Sequence, residues 1–302
     1  MMVPRAFTVI VAQIDATIDL TLTTFLGAGA YTVFYLAQHL QLLPVSVIGI
    51  AFGQASLPYL SEMNTRGKSE EFKNIVVESI LNLFFLTIPI MSFFVFARTP
   101  LVRLFFGGEK FDWDATVLTA VTLSYFSLSL PFHSIYYFLT RCFYALLDSR
   151  TPFYISVFSI ILNISLSLIF IFVFHFPVWA LAISFSTSMI VNVLVLFVLL
   201  SRKMGNVDFS SLFRETAKIS VATLLASVIS YYSMKLLDGL IFDTSRTLQV
   251  FFLLLACAVI YFSLFLLFSW LLAVKEIYLV SKLILKAKEY QKKFIELYTS
   301  YE

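Results

Sequence analysis

The stretch AFTVIVAQIDATIDLTLTTFLGAGAYTVFYLAQHLQLLPVSVIGIAFGQASLPYLS, residues 6–61, decides the fold class. It reads as a hairpin of two membrane helices, with Gly27-Ala28-Gly29-Ala30 as the turn and three ionisable side chains at membrane depth: Asp15, Asp19 and His39. A helix that starts near Ala6 and rises 1.5 Å per residue puts Asp15 about 14 Å along, close to the middle of a hydrocarbon layer about 30 Å thick. An acid at that depth must face protein or water. Asp15 and Asp19 stand at i and i+4, so they share one helix face, and that face is expected to line a cavity.

The composition agrees with this reading. Sixty per cent of the residues are hydrophobic, 13% are charged, and the mean hydropathy is +0.92. Such values belong to polytopic membrane proteins, because no soluble core absorbs so much apolar surface. The net charge of +3 is small and spread over many loops, which gives no basis for nucleic-acid binding. Cys142 and Cys257 are isolated in apolar surroundings, which excludes a disulfide framework and a CxxC site. Arg5, an apolar run and Ala28-Gly29-Ala30 imitate the parts of a signal peptide, but Asp15 and Asp19 interrupt the apolar region, so a retained first membrane helix is expected.

With about 20 apolar residues as the spanning unit, the sequence predicts an all-α protein with eight membrane helices, at 6–26, 34–57, 74–97, 116–139, 153–174, 178–200, 215–237 and 248–273. Pro44 and Pro89 fall inside the second and third spans, where neighbouring helices can satisfy the freed backbone groups. Sixteen Lys and Arg lie on the side of the chain ends, six of them lysines after Ala273, and five lie on the other side. Both termini are therefore expected in the cytoplasm.

Two connections carry patterns of their own. Thr99 to Thr116 predicts a short interfacial helix on the outer face, followed by Asp112 or Asp114 as a cap for the next helix. The tail 275–302 interleaves Lys282, Lys286, Lys288, Lys292 and Lys293 with apolar residues. It reads either as a basic amphipathic helix against an anionic leaflet or as a solvated extension.

No nucleophile–base set, Walker loop, HExxH or dinucleotide fingerprint occurs, so neither an enzyme nor a cofactor is indicated. The three histidines, His39, His133 and His175, lie in separate segments, which gives no metal site. His133 is expected as a buried hydrogen-bonding residue, His175 as interfacial, and Asn163 and Asn192 as interhelical hydrogen-bond partners.

Four separated motifs then come in order: Pro4-Arg5, Leu57 to Ser61 (LPYLS), Gly108 to Asp112 (GEKFD) and Arg141 to Pro152 (RCFYALLDSRTP). In sequence and order they resemble the MurJ (MviN) family of lipid II flippases, and the last is the most specific. The resemblance implies a fold of fourteen helices, with two lobes of six around a central cationic cavity and two more helices forming a groove for a lipid tail. This chain resembles helices seven to fourteen: residues 1–200 would form the second six-helix lobe, 201–274 the two additional helices and 275–302 the cytoplasmic tail. A first lobe, separate or missing here, would be the partner, which accounts for the lack of an internal repeat.

The same resemblance implies function and site. The substrate would be lipid II, moved from the inner to the outer leaflet of the bacterial cytoplasmic membrane by alternating access, with membrane lipids as the other partners. Asp19 matches an acidic position of the seventh helix. His39, in Ala37-Gln38-His39-Leu40, stands where the family has a cavity arginine. A histidine gives a weaker diphosphate grip than arginine, and pairing with Asp19 would keep it charged. That pairing predicts pH-dependent ligand binding between about pH 6 and 8. Arg141, Asp148 and Arg150 are expected to hold the cytoplasmic loop and gate. Two alternatives remain open at this point: a non-transporting scaffold derived from a flippase half, and an exporter of another lipid-linked sugar or of drugs.

Overall fold

The computed structural model describes residues 13–14, 17–107, 112–205, 207–240, 247–279 and 281–282. Asp15, the Pro4-Arg5 motif, most of GEKFD and the tail beyond Lys282 lie outside the described residues. Among those described, helices follow one another with short connections: α1 Thr17–Leu26, α2 Ala30–Thr65, α3 Ser69–Phe96, α4 Arg98–Phe106, α5 Trp113–Ser127, α6 Leu130–Ala145, α7 Arg150–Val173, α8 Trp179–Met204, α9 Phe209–Leu240 and α10 Thr247–Leu271. Six of these are long and apolar enough to cross a membrane, and a seventh span forms when α5 and α6, bent by 43°, are counted together. The first expected span is described only in its second half, as the short apolar helix α1.

Most of the observed helices are longer than the expected spans, α2 most of all, whereas α10 is slightly shorter. Apolar length measures the hydrocarbon crossing, whereas a helix continues into water wherever its backbone bonds are undisturbed. The turn between α1 and α2 falls where two glycines sit at positive φ, Gly27 at 102° and Gly29 at 84°, a region closed to most L side chains. The short helix expected after Thr99 is α4, and Asp112 is the cap of α5, its Oδ1 accepting the Ala115 amide at 2.8 Å. Pro44 does not end α2. The chain instead passes into a π-helical segment, Val45–Ile50, and then resumes α geometry.

Three apolar clusters hold the bundle. One, at the end of the α1–α2 turn, joins Leu22, Phe34 and Leu40 to Leu123, Phe126 and Leu181. A second, at the opposite end, joins Leu60, Val76 and Leu83 to Phe138, Phe143 and Leu196. A third seats α9 and α10 on α3, where Phe85 meets Phe265 and Phe93 meets Tyr261. The Tyr261 hydroxyl donates to the Pro89 carbonyl at 2.9 Å, which fixes α10 on the proline-bearing turn of α3. Cys142 and Cys257 are buried packing residues.

Between the first two clusters lies a polar layer at mid-depth. The π segment of α2 crosses α6 there at very close range: a Cβ on Gly49 would stand 2.6 Å from the Ser134 Cα, so only glycine fits. Gly53, one turn on, is packed on the Tyr137 carbonyl.

Candidate functional site

The polar layer opens into a cleft of about 350 Å³ bounded by α1, α2, α6, α7 and α8. Each wall contributes polar groups that its own helix would otherwise expose to lipid. Asp19 projects from α1 and is 1% exposed, and its Oδ2 accepts a hydrogen bond from the Asn163 side-chain amide of α7 at 3.0 Å. Gln41, fully buried on α2, directs its Nε2 to the Ser129 hydroxyl at 3.3 Å and to His133 Nδ1 at 3.5 Å. Its Oε1 has no hydrogen-bond partner among the described residues. His133 stacks on Tyr137 with ring centroids 5.3 Å apart. The Tyr136 hydroxyl meets Ser156 at 3.0 Å, and the Ser159 hydroxyl donates to the Ser188 carbonyl at 3.0 Å. Asn192 completes the wall, its Oδ1 also unpartnered among the described residues.

The charge of this cleft is its main property. One carboxylate lines it, and no Lys or Arg does among the described residues. A diphosphate requires cationic donors, and none lines the cleft among the described residues. A buried carboxylate among amides and hydroxyls instead suits a proton or a small cation. No group of three or more His, Cys, Asp or Glu that could hold a metal ion occurs among the described residues.

The expected pair of Asp19 and His39 is not formed. His39 lies on the exposed face of α2, where its Nδ1 contacts the Tyr35 carbonyl at 2.8 Å and its ring stacks on Tyr35 at 3.9 Å. Its neighbours Gln38 and Gln41 face the cleft, and the 100° turn per residue carries His39 away from it. The exposed face of α2 continues as Tyr31, Tyr35, His39, Leu43 and Val47, with Tyr31 stacked on Tyr35.

The expected loop residues meet in part. α6 ends in a left-handed turn at Leu147, φ 59°, which lets the Asp148 amide reach back to the Phe143 carbonyl at 2.9 Å. The Asp148 carboxylate then accepts from the amides of Arg150 and Thr151 and from the Thr151 hydroxyl, starting α7, and pairs with Lys203 at the end of α8. Partial burial alone would raise the Asp148 carboxyl, but Lys203 and Thr151 outweigh it and hold it at about 2. Asn64 of α2 donates to the Ala145 carbonyl at 3.0 Å and draws that helix end onto the same loop. Arg141 stands apart, its guanidinium over the Tyr144 ring, and the Arg150 side chain is exposed. Lys203 and Gln41 were not singled out by sequence reading. Gln41 carried a signal, as an amide inside an apolar span.

Comparisons with known proteins agree with this architecture. A profile of the family described as lipid II flippase MurJ matches residues 1–252. A probable lipid II flippase MurJ from Bdellovibrio bacteriovorus is 26% identical over 255 residues, covering 83% of this chain and 48% of the relative. The lipid II flippase MurJ of Burkholderia cenocepacia is 30% identical over 161 residues, covering 53% of this chain and 31% of the relative. The chain thus spans about half, or less, of the length of these relatives. Among solved structures, a lipid II flippase MurJ in an inward closed conformation superposes with a TM-score of 0.72 at 24% identity, over 87% of this chain and 51% of that one. A MOP superfamily transporter from Pyrococcus furiosus shares the fold with a TM-score of 0.61 at 16% identity, over 91% of this chain and 65% of that one. With the family profile covering most of its length and the helical bundle matching, the chain belongs to the lipid II flippase MurJ family.

Proposed function

We propose that this chain is the C-terminal part of a lipid II flippase and moves the precursor across the membrane together with a complementary six-helix lobe, supplied by a longer form of this chain or by a separate one. The observation that carries the proposal is the family match over residues 1–252, combined with coverage of about half of the relatives. No bond is made or broken in such a process. The work is a change of access, and two features of the bundle support it. α2 contains a π segment next to Pro44, and α5 and α6 are bent against each other at the same depth, so two neighbouring spans have weakened backbone ladders.

In this reading the exposed face of α2 that carries Tyr35 and His39 turns toward the complementary lobe and the headgroup path, while α9 and α10 shelter the polyprenyl tail. The cleft around Asp19 and Asn163 belongs to the coupling machinery: it changes charge by taking up a proton or cation and so biases one arrangement of the lobe. The Asp148 loop ties α6, α7 and α8 together on the side that this reading takes as cytoplasmic, an orientation supported by the Lys and Arg count. Lipid II exchange in proteoliposomes tests the proposal. The chain with a complementary lobe is expected to move lipid II between leaflets, and the chain alone to be silent. Exchange by the chain alone would remove the need for a second lobe, and silence of both would reject the flippase reading.

A further inference from the structure

A second cavity lies at the end of the bundle remote from Asp148. It measures about 280 Å³ and is bounded by α4, the start of α5, the last turns of α9 and the first turns of α10. Arg98, Arg103 and Lys235 border it, and Asp238 is the one acid among its described lining residues. None of the three cations forms a salt bridge among the described residues. Their positions are fixed by neutral partners instead. Arg98 Nη1 donates to the Ser124 hydroxyl at 3.3 Å, Arg103 lies over the Trp113 ring at 5.8 Å, and Lys235 lies over the Tyr231 ring at 5.0 Å. Facing them is an apolar wall of Met234, Val250 and Leu253.

Three cations against one acid leave the cavity with a surplus of positive charge, whose mutual repulsion a bound anion would relieve. Two guanidinium forks beside an ammonium match the several oxygens of a phosphate better than a single carboxylate. The place matters equally. All four helix ends lie at one polar boundary of the membrane-spanning bundle, where phosphates of lipid headgroups stand, and the apolar wall runs from there toward the hydrocarbon.

We infer that the cavity between α4, α9 and α10 binds a phosphate group through Arg98, Arg103 and Lys235. The phosphate is that of an anionic phospholipid whose acyl chain follows the Val250–Leu253 wall, or free phosphate as the other source of the same chemistry. This site is separate from the Asp19 cleft and independent of the flippase reading.

The test uses the full chain in neutral detergent with Trp179→Phe and Trp270→Phe, which leaves Trp113, beside the cavity, as the reporting tryptophan. Short-chain phosphatidylglycerol, short-chain phosphatidylcholine and inorganic phosphate are titrated separately. Phosphatidylglycerol is expected to change Trp113 emission saturably, with phosphatidylcholine weaker by about tenfold and Arg98→Gln/Arg103→Gln weakening the response by about tenfold or more. Inorganic phosphate that binds as tightly as phosphatidylglycerol makes free phosphate the source. Lys235→Gln, at an exposed position, serves as the second variant should the double one fail to fold, and about a threefold loss is expected from it. No saturable response to either anion, equal binding of the two lipids, or variants that bind like the parent would overturn the assignment.

Discussion

The polar cleft and the loop between α6 and α7 each centre on one carboxylate, and the two are held by opposite means. Asp148 has a cation, Lys203, together with two backbone amides and a hydroxyl, and it is partly open to water. Asp19 is buried away from water and is met by the neutral amide of Asn163. A carboxylate whose charge is balanced within the protein serves to fix geometry. One buried at depth, in a cleft lined by no Lys or Arg among the described residues, is costly in a membrane. Position along the bundle thus separates a charge-balanced carboxylate from a deeply buried one, although both are aspartates of one chain.

Five substitutions, at four positions, would break or sharpen that contrast. The largest effect is expected where the cleft is closed at its back: Gly49→Val drives a side chain into the Ser134 backbone and should lower stability by about 3 kcal/mol, read from thermal unfolding in detergent. Unchanged melting would mean that α2 and α6 are not held in contact. Next, Asp19→Ala should cost about 2 kcal/mol by taking the acceptor from Asn163. Asp19→Asn should melt close to the parent while abolishing lipid II exchange in the two-lobe assay. Exchange preserved in Asp19→Asn would show that the charge is not used, and the contrast would collapse.

Asp148→Ala should cost about 1.5 kcal/mol, through lost capping of α7 and the lost Lys203 contact. This contribution carries a pH signature. The folded carboxyl titrates at about 2, below its ordinary value of 3.8, so the unfolded chain takes up the proton first as pH falls. The stabilisation is full above about pH 4 and fades as pH drops toward 2. Melting curves across that range should converge for the parent and Asp148→Ala, and parallel curves would assign the tie to some other group. The smallest effect is expected at Leu147, an exposed leucine held at φ 59°. Leu147→Gly relieves the left-handed strain at some cost in chain entropy, for a net gain of about 0.5 kcal/mol.

How much of this was legible in the sequence varies with the kind of information needed. The spans were, because 20 apolar residues match the hydrocarbon thickness whatever their neighbours are. The Gly27–Ala30 turn and the Asp112 cap were also legible, since each is a local backbone requirement with a short list of suitable residues. The composition of the cleft was only half legible. Asp19, His133, Asn163 and Asn192 stood out as polar residues at membrane depth, yet nothing local joins Asp19 to Asn163 across 144 positions. The pairing of Asp19 with His39 was misread because depth in the membrane is readable from a span, whereas azimuth depends on where the helix starts and which neighbours it meets. Lys203 looked like one more loop charge, since its partner sits 55 residues earlier. The π segment left no expectation beyond Pro44, because an extra residue within a turn of helix has no composition of its own.

That segment has a mechanical consequence. The first half of α2 packs with α5 and the second half with α6, and α5 and α6 themselves part at residues 128–129. The break between α5 and α6 lies beside Gln41, one turn before the π segment, so the two ladders are interrupted close together, with an apolar block on either side and polar contacts between. This part of the bundle is therefore less a plank than a pair of blocks joined along a crease, and a load applied at one face spends itself first in folding that crease.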